Sequence, residues 1–318
     1  MAISPDPALV SCFRSSLAGL WPCGGRLGIA VSGGPDSLAL LLLAHTAMPR
    51  QVEAATVDHG LRKESAEEAD FVARICVGLN IPHQILPVEL NAGNIQHQAR
   101  LARYDALAGW IRSRGIDALA TAHHADDQAE TLLMRLNRAS GVAGLAGVRP
   151  KSNIPGHDIP LIRPLLGWRR ATLAAVVHDS GIQAVHDPSN ENLQYDRVKI
   201  RQNLAQSAWL DVASLAQSAG HLADAENALE WAAEREWQEA VSTVDAGYLY
   251  RPHAQTPRAI RLKVLMRAVL MLGKVPRGSA LAALEAELSA GRGGNIAGVL
   301  ISAQPTGWFI RPEPPRSG

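Results

Sequence analysis

Leu27-Gly28-Ile29-Ala30-Val31-Ser32-Gly33-Gly34-Pro35-Asp36-Ser37-Leu38-Ala39-Leu40-Leu41-Leu42-Leu43-Ala44 decides the fold. The apolar run Leu27 to Val31 reads as a buried strand, the glycines as a turn, and about Asp36 to Thr46 as a helix. The alternation continues downstream. Val52 to Val57 reads as a second strand, Glu64 to Gly78 as an amphipathic helix, and His83 to Val88 as a weaker strand. Ile95 to Arg114 is a long helix closed by Gly115, Ala118 to Ala122 a fourth strand, and Asp126 to Asn137 a fourth helix. Upstream, Ala8 to Leu20 reads as a short helix. Strands alternating with helices imply an α/β domain, a doubly wound parallel sheet covered on both faces.

Composition narrows the class. A chain of 318 residues suggests two domains at ~100–200 residues each. With 47% hydrophobic and 19% charged residues, disorder over most of the chain is excluded. A net charge of +1 excludes a uniformly basic coat for nucleic acid but leaves room for a local basic face. Aromatic residues, at 4%, argue against a surface built of base-stacking platforms. Cys12, Cys23 and Cys76 form no C-x-x-C pair, which excludes a disulfide framework or a cysteine-rich metal site and fits a reducing cytoplasm. The apolar stretch from Leu38 is far shorter than the ~20 residues of a membrane span. The first 20 residues lack the pattern of a signal peptide.

The texture changes after Ser140. Glycines and prolines crowd residues 141–160, which reads as a long functional loop. Beyond Asn203 the pattern is helical and less regular. Residues 203–250 carry one basic residue against eight acidic ones, and residues 251–318 carry ten basic against three acidic. This sign asymmetry marks a second domain. The expected division is a catalytic domain over 1–205 and a smaller, mainly helical domain over 206–318.

The glycine turn lies at the carboxyl end of the first strand, where open α/β sheets bind ligands. Gly33 and Gly34 let backbone N–H groups approach an anion, and the helix start adds unpaired donors. Ser32 and Ser37 add hydroxyls. Asp36 is a poor phosphate ligand by charge, so its expected partner is magnesium bridging phosphates. The string is neither a Walker A loop nor G-x-G-x-x-G. A tight turn with Ser/Asp capping is the plainer alternative.

Two further strand ends border the same crevice. Val57-Asp58-His59-Gly60-Leu61-Arg62 ends the second; Asp58 and His59 suit either turn chemistry or hydrogen bonds to a ribose or base. Thr121-Ala122-His123-His124-Ala125-Asp126-Asp127-Gln128-Ala129-Glu130-Thr131 ends the fourth and opens a helix. Asp126 and Asp127 suit a helix N-terminus in any case. Asp127 and Glu130 share a helix face, and two carboxylates aimed into a crevice suit an ammonium group. No H-E-x-x-H or cysteine partner supports a zinc site here.

The whole string Ser32-Gly33-Gly34-Pro35-Asp36-Ser37 resembles the PP-loop, S-G-G-x-D-S, of the N-type ATP pyrophosphatases, a Rossmann-like family that splits ATP into AMP and pyrophosphate. H-H-x-D-D-Q-A-E-T, from His123, resembles the signature of the tRNA(Ile)-lysidine synthetases. Residues 132–145, Ala99 to Tyr104, Arg163-Pro164-Leu165-Leu166 and Asp187-Pro188-Ser189-Asn190 continue that pattern. The resemblance is dense over about 25–205 and faint at Gly291 to Gly298 and Phe309 to Glu313.

The resemblance implies a ligase that adenylates the wobble cytidine of the isoleucine tRNA with a CAU anticodon and then joins free L-lysine to it. ATP, magnesium, L-lysine and that tRNA would be its cofactors and partners, and a homodimer is left open. Ser32, Gly33, Gly34, Pro35 and Ser37 would hold the phosphates, with Asp36 on magnesium and Asp58, His59 and His123 at the nucleotide. Asp127 and Glu130 would bind lysine, and Arg103 would pair with Asp127 or touch the reacting groups. Arg163, Arg169, Arg170 and Arg201 would bind tRNA; Arg149, Lys151, Arg258, Arg261, Lys263 and Arg267 are weaker candidates, since phosphate contacts need only charge in the right place. Val198 departs from the family, which often has Asn there. Three alternatives stay open: a sulfur-inserting tRNA enzyme, a synthetase making a small amide from ammonia, and a non-catalytic binding module.

Overall fold

The computed structural model describes residues 4–60, 63–88, 95–185, 194 and 196–314. Leu61, Arg62, the Asp187 to Asn190 motif and Tyr195 lie outside them. Two compact units are present, residues 1–223 and 224–318.

The first unit alternates as the sequence suggests. Helix α1 (Pro7–Leu20) precedes β1 (Leu27–Ala30), α2 (Pro35–Ala47), β2 (Val52–Asp58), α3 (Lys63–Gly78), β3 (His83–Pro87), α4 (Ile95–Arg114), β4 (Ala118–Ala120) and α5 (Ala125–Leu136). The sheet order begins β3-β2-β1-β4, all parallel. The chain runs outward from β1 to β3, then returns through α4 to the other side of β1. The order therefore reverses between β1 and β4, and a crevice opens beyond their carboxyl ends.

Alternation along β1 explains the two covered faces. Leu27, Ile29 and Val31 join a core with α1, α2 and residues of α3, while Ala30 faces α4 through Leu107, Trp110 and Ile111. At Gly28 an added Cβ would come within 2.7–2.9 Å of Ile111 and Trp110, so α4 sits where no side chain fits. Helix α2 is buried from Ser37 to Ala44, which accounts for leucines all round it.

Residues 141–160 are not one loop. They hold the short helix α6 (Val142–Leu145), the strand β5 (Lys151–Asn153) and, at their end, the start of β6 (Pro160–Ile162). Strand β6 pairs parallel to β4, and β5 closes the edge antiparallel to β6, so the sheet is parallel except at that edge. Strands of three residues separated by Pro and Gly carry no readable period. Helix α7 (Arg170–Asp179) then packs on α2, and α8 (Asp196–Gln206) on α5.

Helix α9 (Val212–Ala240) begins in the first unit and ends in the second. The expected boundary at 205 thus differs from the observed division at Ala223. A continuous helix crosses the division, so no Pro- or Gly-rich linker marks it. The second unit adds β7 (Val241–Val244), β8 (Gly247–Tyr250), α10 (Arg258–Leu272), α11 (Gly278–Ser289), β9 (Gly294–Ile296), β10 (Val299–Gln304) and β11 (Gly307–Pro312). Helices form its larger part, but the sequence reading omitted a five-stranded antiparallel sheet, β7-β8-β11-β10-β9. Ala297 (φ 52°) and Gly298 (φ 86°) make the tight turn between β9 and β10. No helix among the described residues is long and apolar enough to cross a membrane.

Candidate active site

The loop after β1 is built to leave donors facing outward. Gly33 adopts φ +85°, a conformation strained for any residue with a Cβ. Ser37 Oγ donates to the Gly34 carbonyl at 2.9 Å and accepts the Ser32 N–H at 3.1 Å, which pins the loop from inside. Gly34 begins α2 with no side-chain cap and Pro35 follows, so the helix start presents its N–H groups and partial positive charge to the crevice.

Two adjoining cavities share Ala30, Ser32 and Arg103. One, of about 250 Å³, is walled by Ala55, Thr56 and Val57 of β2 with His59, Ser65 and Glu68. Its His59 Nδ1 is buried without a hydrogen-bond partner among the described residues. The other, of about 210 Å³, is lined by Gly34, Asp36, Ser37, Thr121, His123, Asp127 and Arg197. The first has the place and apolar walls for a nucleoside, the second the donors for phosphates. Arg103, half-buried, faces both and has no carboxylate partner among the described residues.

Asp58 lines neither of the two cavities. Its Oδ1 accepts Ser65 Oγ at 2.6 Å and the Gly60 N–H at 2.9 Å, and those bonds, that of Ser65 first, hold its carboxyl below the usual range. It shapes the turn that carries His59.

The helix start after β4 supplies the second wall. His124, 1% exposed, caps α5: its Nδ1 accepts the Asp127 N–H at 3.3 Å, and Asp127 Oδ2 accepts the His124 N–H at 3.0 Å. This is a reciprocal capping box with His in place of Ser or Thr. Its Nε2 lies 3.3 Å from Asp36 Oδ2 and 3.6 Å from Asp127 Oδ2, without hydrogen-bond geometry to either, so one imidazole sits between the carboxylate of the β1 loop and that of α5. The sequence reading favoured His123 and missed this role. The signal was present as His at the cap position with Asp three residues on.

His123 lines the cavity with Nδ1 3.0 Å from Thr121 Oγ1. Burial first, then the charges of Arg163, Arg103, Arg197 and Arg100, push it down to about 3, so the ring is neutral at physiological pH.

Asp127 faces the cavity, and its Oδ1 takes Arg197 Nη2 at 2.6 Å, the place expected for Arg103. Glu130 is different. It is 1% exposed and receives Arg197 Nε at 2.6 Å, Arg201 Nε at 2.8 Å and Arg170 Nη2 at 3.3 Å. Both its oxygens accept from arginines, and through them Glu130 fastens α8 and α7 to α5. Arg170 and Arg201 are correspondingly turned inward rather than toward a tRNA backbone. Arg163 is 6% exposed and donates to the Arg149 carbonyl and Ser152 Oγ, which also removes it from that set. Arg149 Nη1 bonds the Ala223 carbonyl. Arg169 is half-exposed and paired with Asp126, and Lys151 is exposed. In the second unit Arg258 and Arg261 pair with Glu285, Lys263 with Glu226, and Arg267 with Glu234.

Burial alone would raise Glu130, but the bonds and charges of Arg201 and Arg197 outweigh it, and its carboxyl ends below the ordinary 4.5. A depressed carboxyl contributes stability that is present above the unfolded value and lost as pH falls through the folded one. Urea midpoints of the parent and Glu130→Gln are therefore expected to differ at pH 7 and to draw together as pH falls below the ordinary carboxyl value. A constant gap across that range would exclude a linked titration.

Asp36 Oδ1 is buried and without a hydrogen-bond partner among the described residues. An orphan carboxylate oxygen beside a phosphate cradle fits a hard divalent cation, which takes most remaining ligands from water and phosphate. Among the described residues no group of three His, Cys, Asp or Glu side chains is placed for a metal, consistent with such shared ligation. Cys76 is buried in α3, and burial pushes its thiol up to about 12, while Cys12 and Cys23 are exposed.

Comparison with known proteins places this geometry. Residues 20–208 match the family model described as a PP-loop domain. A tRNA(Ile)-lysidine synthase of Novosphingobium aromaticivorans is 48% identical over 96% of this chain and 94% of that protein. One of Zymomonas mobilis is 42% identical over 96% and 94%. Among solved structures, the U34-tRNA thiolase NcsA from Methanococcus maripaludis superposes with a TM-score of 0.57 at 17% identity, over 68% of this chain and 78% of that one, a likeness of fold alone. With a PP-loop domain over more than half its length and such identity to relatives along nearly all of it, the chain belongs to the tRNA(Ile)-lysidine synthase family.

Proposed function

We propose that the chain uses ATP and magnesium to join L-lysine to C2 of the wobble cytidine of the CAU-anticodon isoleucine tRNA. The observation that carries this reading is the convergence of Asp36 and Asp127 on His124, beside an uncapped helix start and a nucleoside-sized cavity. The cytidine O2 attacks the α-phosphorus of ATP and pyrophosphate leaves. The ε-amine of lysine, having lost its proton, then adds to C2, and AMP departs with O2.

Each group has a task in this sequence. Ser32, Ser37 and the first N–H groups of α2 bind the phosphates, and Arg103 answers the charge that develops on them. Asp36 would hold magnesium, which would supply positive charge against the pyrophosphate. His59 and the β2 backbone orient the nucleoside. Asp127 receives the lysine ammonium and its proton, while Arg197 and His124 fix the angle of its carboxylate. His123, uncharged, adds a hydrogen-bonding edge without competing for the ammonium site. Arg169 is the exposed cation of the expected set best placed for the tRNA backbone.

An omission assay tests the whole reading. Pyrophosphate release from ATP is expected only with magnesium and the CAU isoleucine transcript, and labelled lysine is expected to enter that RNA. Release with ammonia and no RNA, or RNA-dependent release without lysine incorporation, would overturn the assigned substrate.

A further inference from the structure

The antiparallel sheet of the second unit has two unlike faces. Trp308 and Ile310 of β11, Val299 and Ile301 of β10 and Tyr250 of β8 belong to the core shared with α10 and α11. Alternation turns Leu249, Leu300, Ser302, Phe309 and Arg311 to the other face. Arg311 is exposed, the other four are half-buried, and none belongs to that core. Phe309 stands near the middle of this second face. Its strand lies between β8 and β10, and it pairs with Leu249 on one side and Ser302 on the other.

A cation lies to either side of the ring along β11. The guanidinium carbon of the exposed Arg311 stands over Phe309, 5.7 Å from the ring centroid, so an aromatic face is directed outward. In the other direction, a Cβ on Gly307 would come within 3.0 Å of Arg251 Cγ, so the glycine makes room for that arginine. Arg251 is exposed, and its Nη1 donates to Ser242 Oγ at 3.2 Å. Charge selects the partner. None of the five strands contains Asp or Glu. The flanking carboxylates lie outside them: Asp245 in the β7–β8 turn, and Glu313 past β11, where it accepts from Asn295 at the β9 edge. Arg258, Arg261, Lys263, Arg267 and Arg292 are bound to carboxylates, but Arg251 and Arg311 have no carboxylate partner among the described residues. A ring on a middle strand with such a cation on each side matches an unpaired base and its phosphates.

We propose that this face of the sheet binds an unpaired segment of the substrate tRNA, with one base stacked on Phe309 and phosphates at Arg251 and Arg311. This rests on the tRNA reading above. A low aromatic content is compatible with it, since one ring serves one base.

Binding of the CAU isoleucine transcript to the full chain, measured over a range of salt concentrations, tests this. Phe309→Leu keeps an apolar side chain at a half-buried position and is expected to weaken binding about tenfold, within what stacking of one base supplies, while Phe309→Tyr retains most of the affinity. Arg251→Gln combined with Arg311→Gln alters only exposed side chains. It is expected to lower the slope of log affinity against log salt by about one to two, a change that loosened packing would not produce. ATP affinity without RNA is expected to be unchanged in all three variants. Parent-like RNA affinity in Phe309→Leu, or a parent-like salt slope in the double arginine variant, would overturn the proposal while leaving the tRNA reading intact. So would a change of self-association in sedimentation with RNA affinity unchanged, which would make this face a contact between copies of the chain. Failure of the parent to bind the transcript at all would overturn the substrate reading itself.

Discussion

Asp36→Asn is expected to lower pyrophosphate release by at least about 10²–10³-fold, the loss typical when a principal electrostatic stabiliser is removed. The substitution keeps the shape of the side chain and its place at the start of α2, so the loop is retained. It replaces an orphan, buried carboxylate oxygen by a group with no charge for a cation. The apparent requirement for magnesium should rise with the fall in turnover, whereas RNA affinity should not change. Release and magnesium dependence at parent levels would remove Asp36 from the catalytic set and return the loop to ordinary turn chemistry.

Glu130→Gln should act on the fold as much as on the reaction. One carboxylate gathers three guanidinium groups from α7 and α8, and the amide leaves them without their counter-charge. Removing one partner of a buried ion pair costs about 3–5 kcal/mol, and the low end applies because these arginines are 29–41% exposed. Arg197 also bonds Asp127, so loss of its second anchor should disturb lysine binding indirectly. The expected result is a clear drop in urea midpoint together with a raised KM for lysine. A normal midpoint with lysine binding abolished would instead make Glu130 a direct ligand.

The sequence made the frame of the site legible and left its wiring hidden. β1, the glycine loop and α2 announce themselves because an apolar strand, two glycines and an apolar helix occur in immediate succession. That Asp36, Asp127 and His123 would share one cavity was legible because they sit at strand ends, where ligands bind. The partners of Glu130 were hidden because i, i+3 spacing shows which residues share a face, not which arginines arrive from 40 to 71 positions away. The inward bonds of Arg163, Arg170 and Arg201 were hidden for the same reason. His124 was overlooked because capping by imidazole is uncommon. The strands β5 to β11 escaped because several are only three or four residues long, too short for a period to register.

The strand order has a consequence for biosynthesis. Leu27 of β1 pairs with Ala118 of β4, about 90 residues later, and long-range parallel pairing of this kind is slow to form. A growing chain presents the phosphate loop seconds before β4 has been made. Until then one edge of β1 stands open, with its backbone groups unpaired. His124 follows β4 by only a few residues, so closing that edge also carries the imidazole to Asp36. Nascent chains halted before Ala118 should therefore be sticky and inactive together, and protection of the β1 amides from exchange should report the birth of a working crevice.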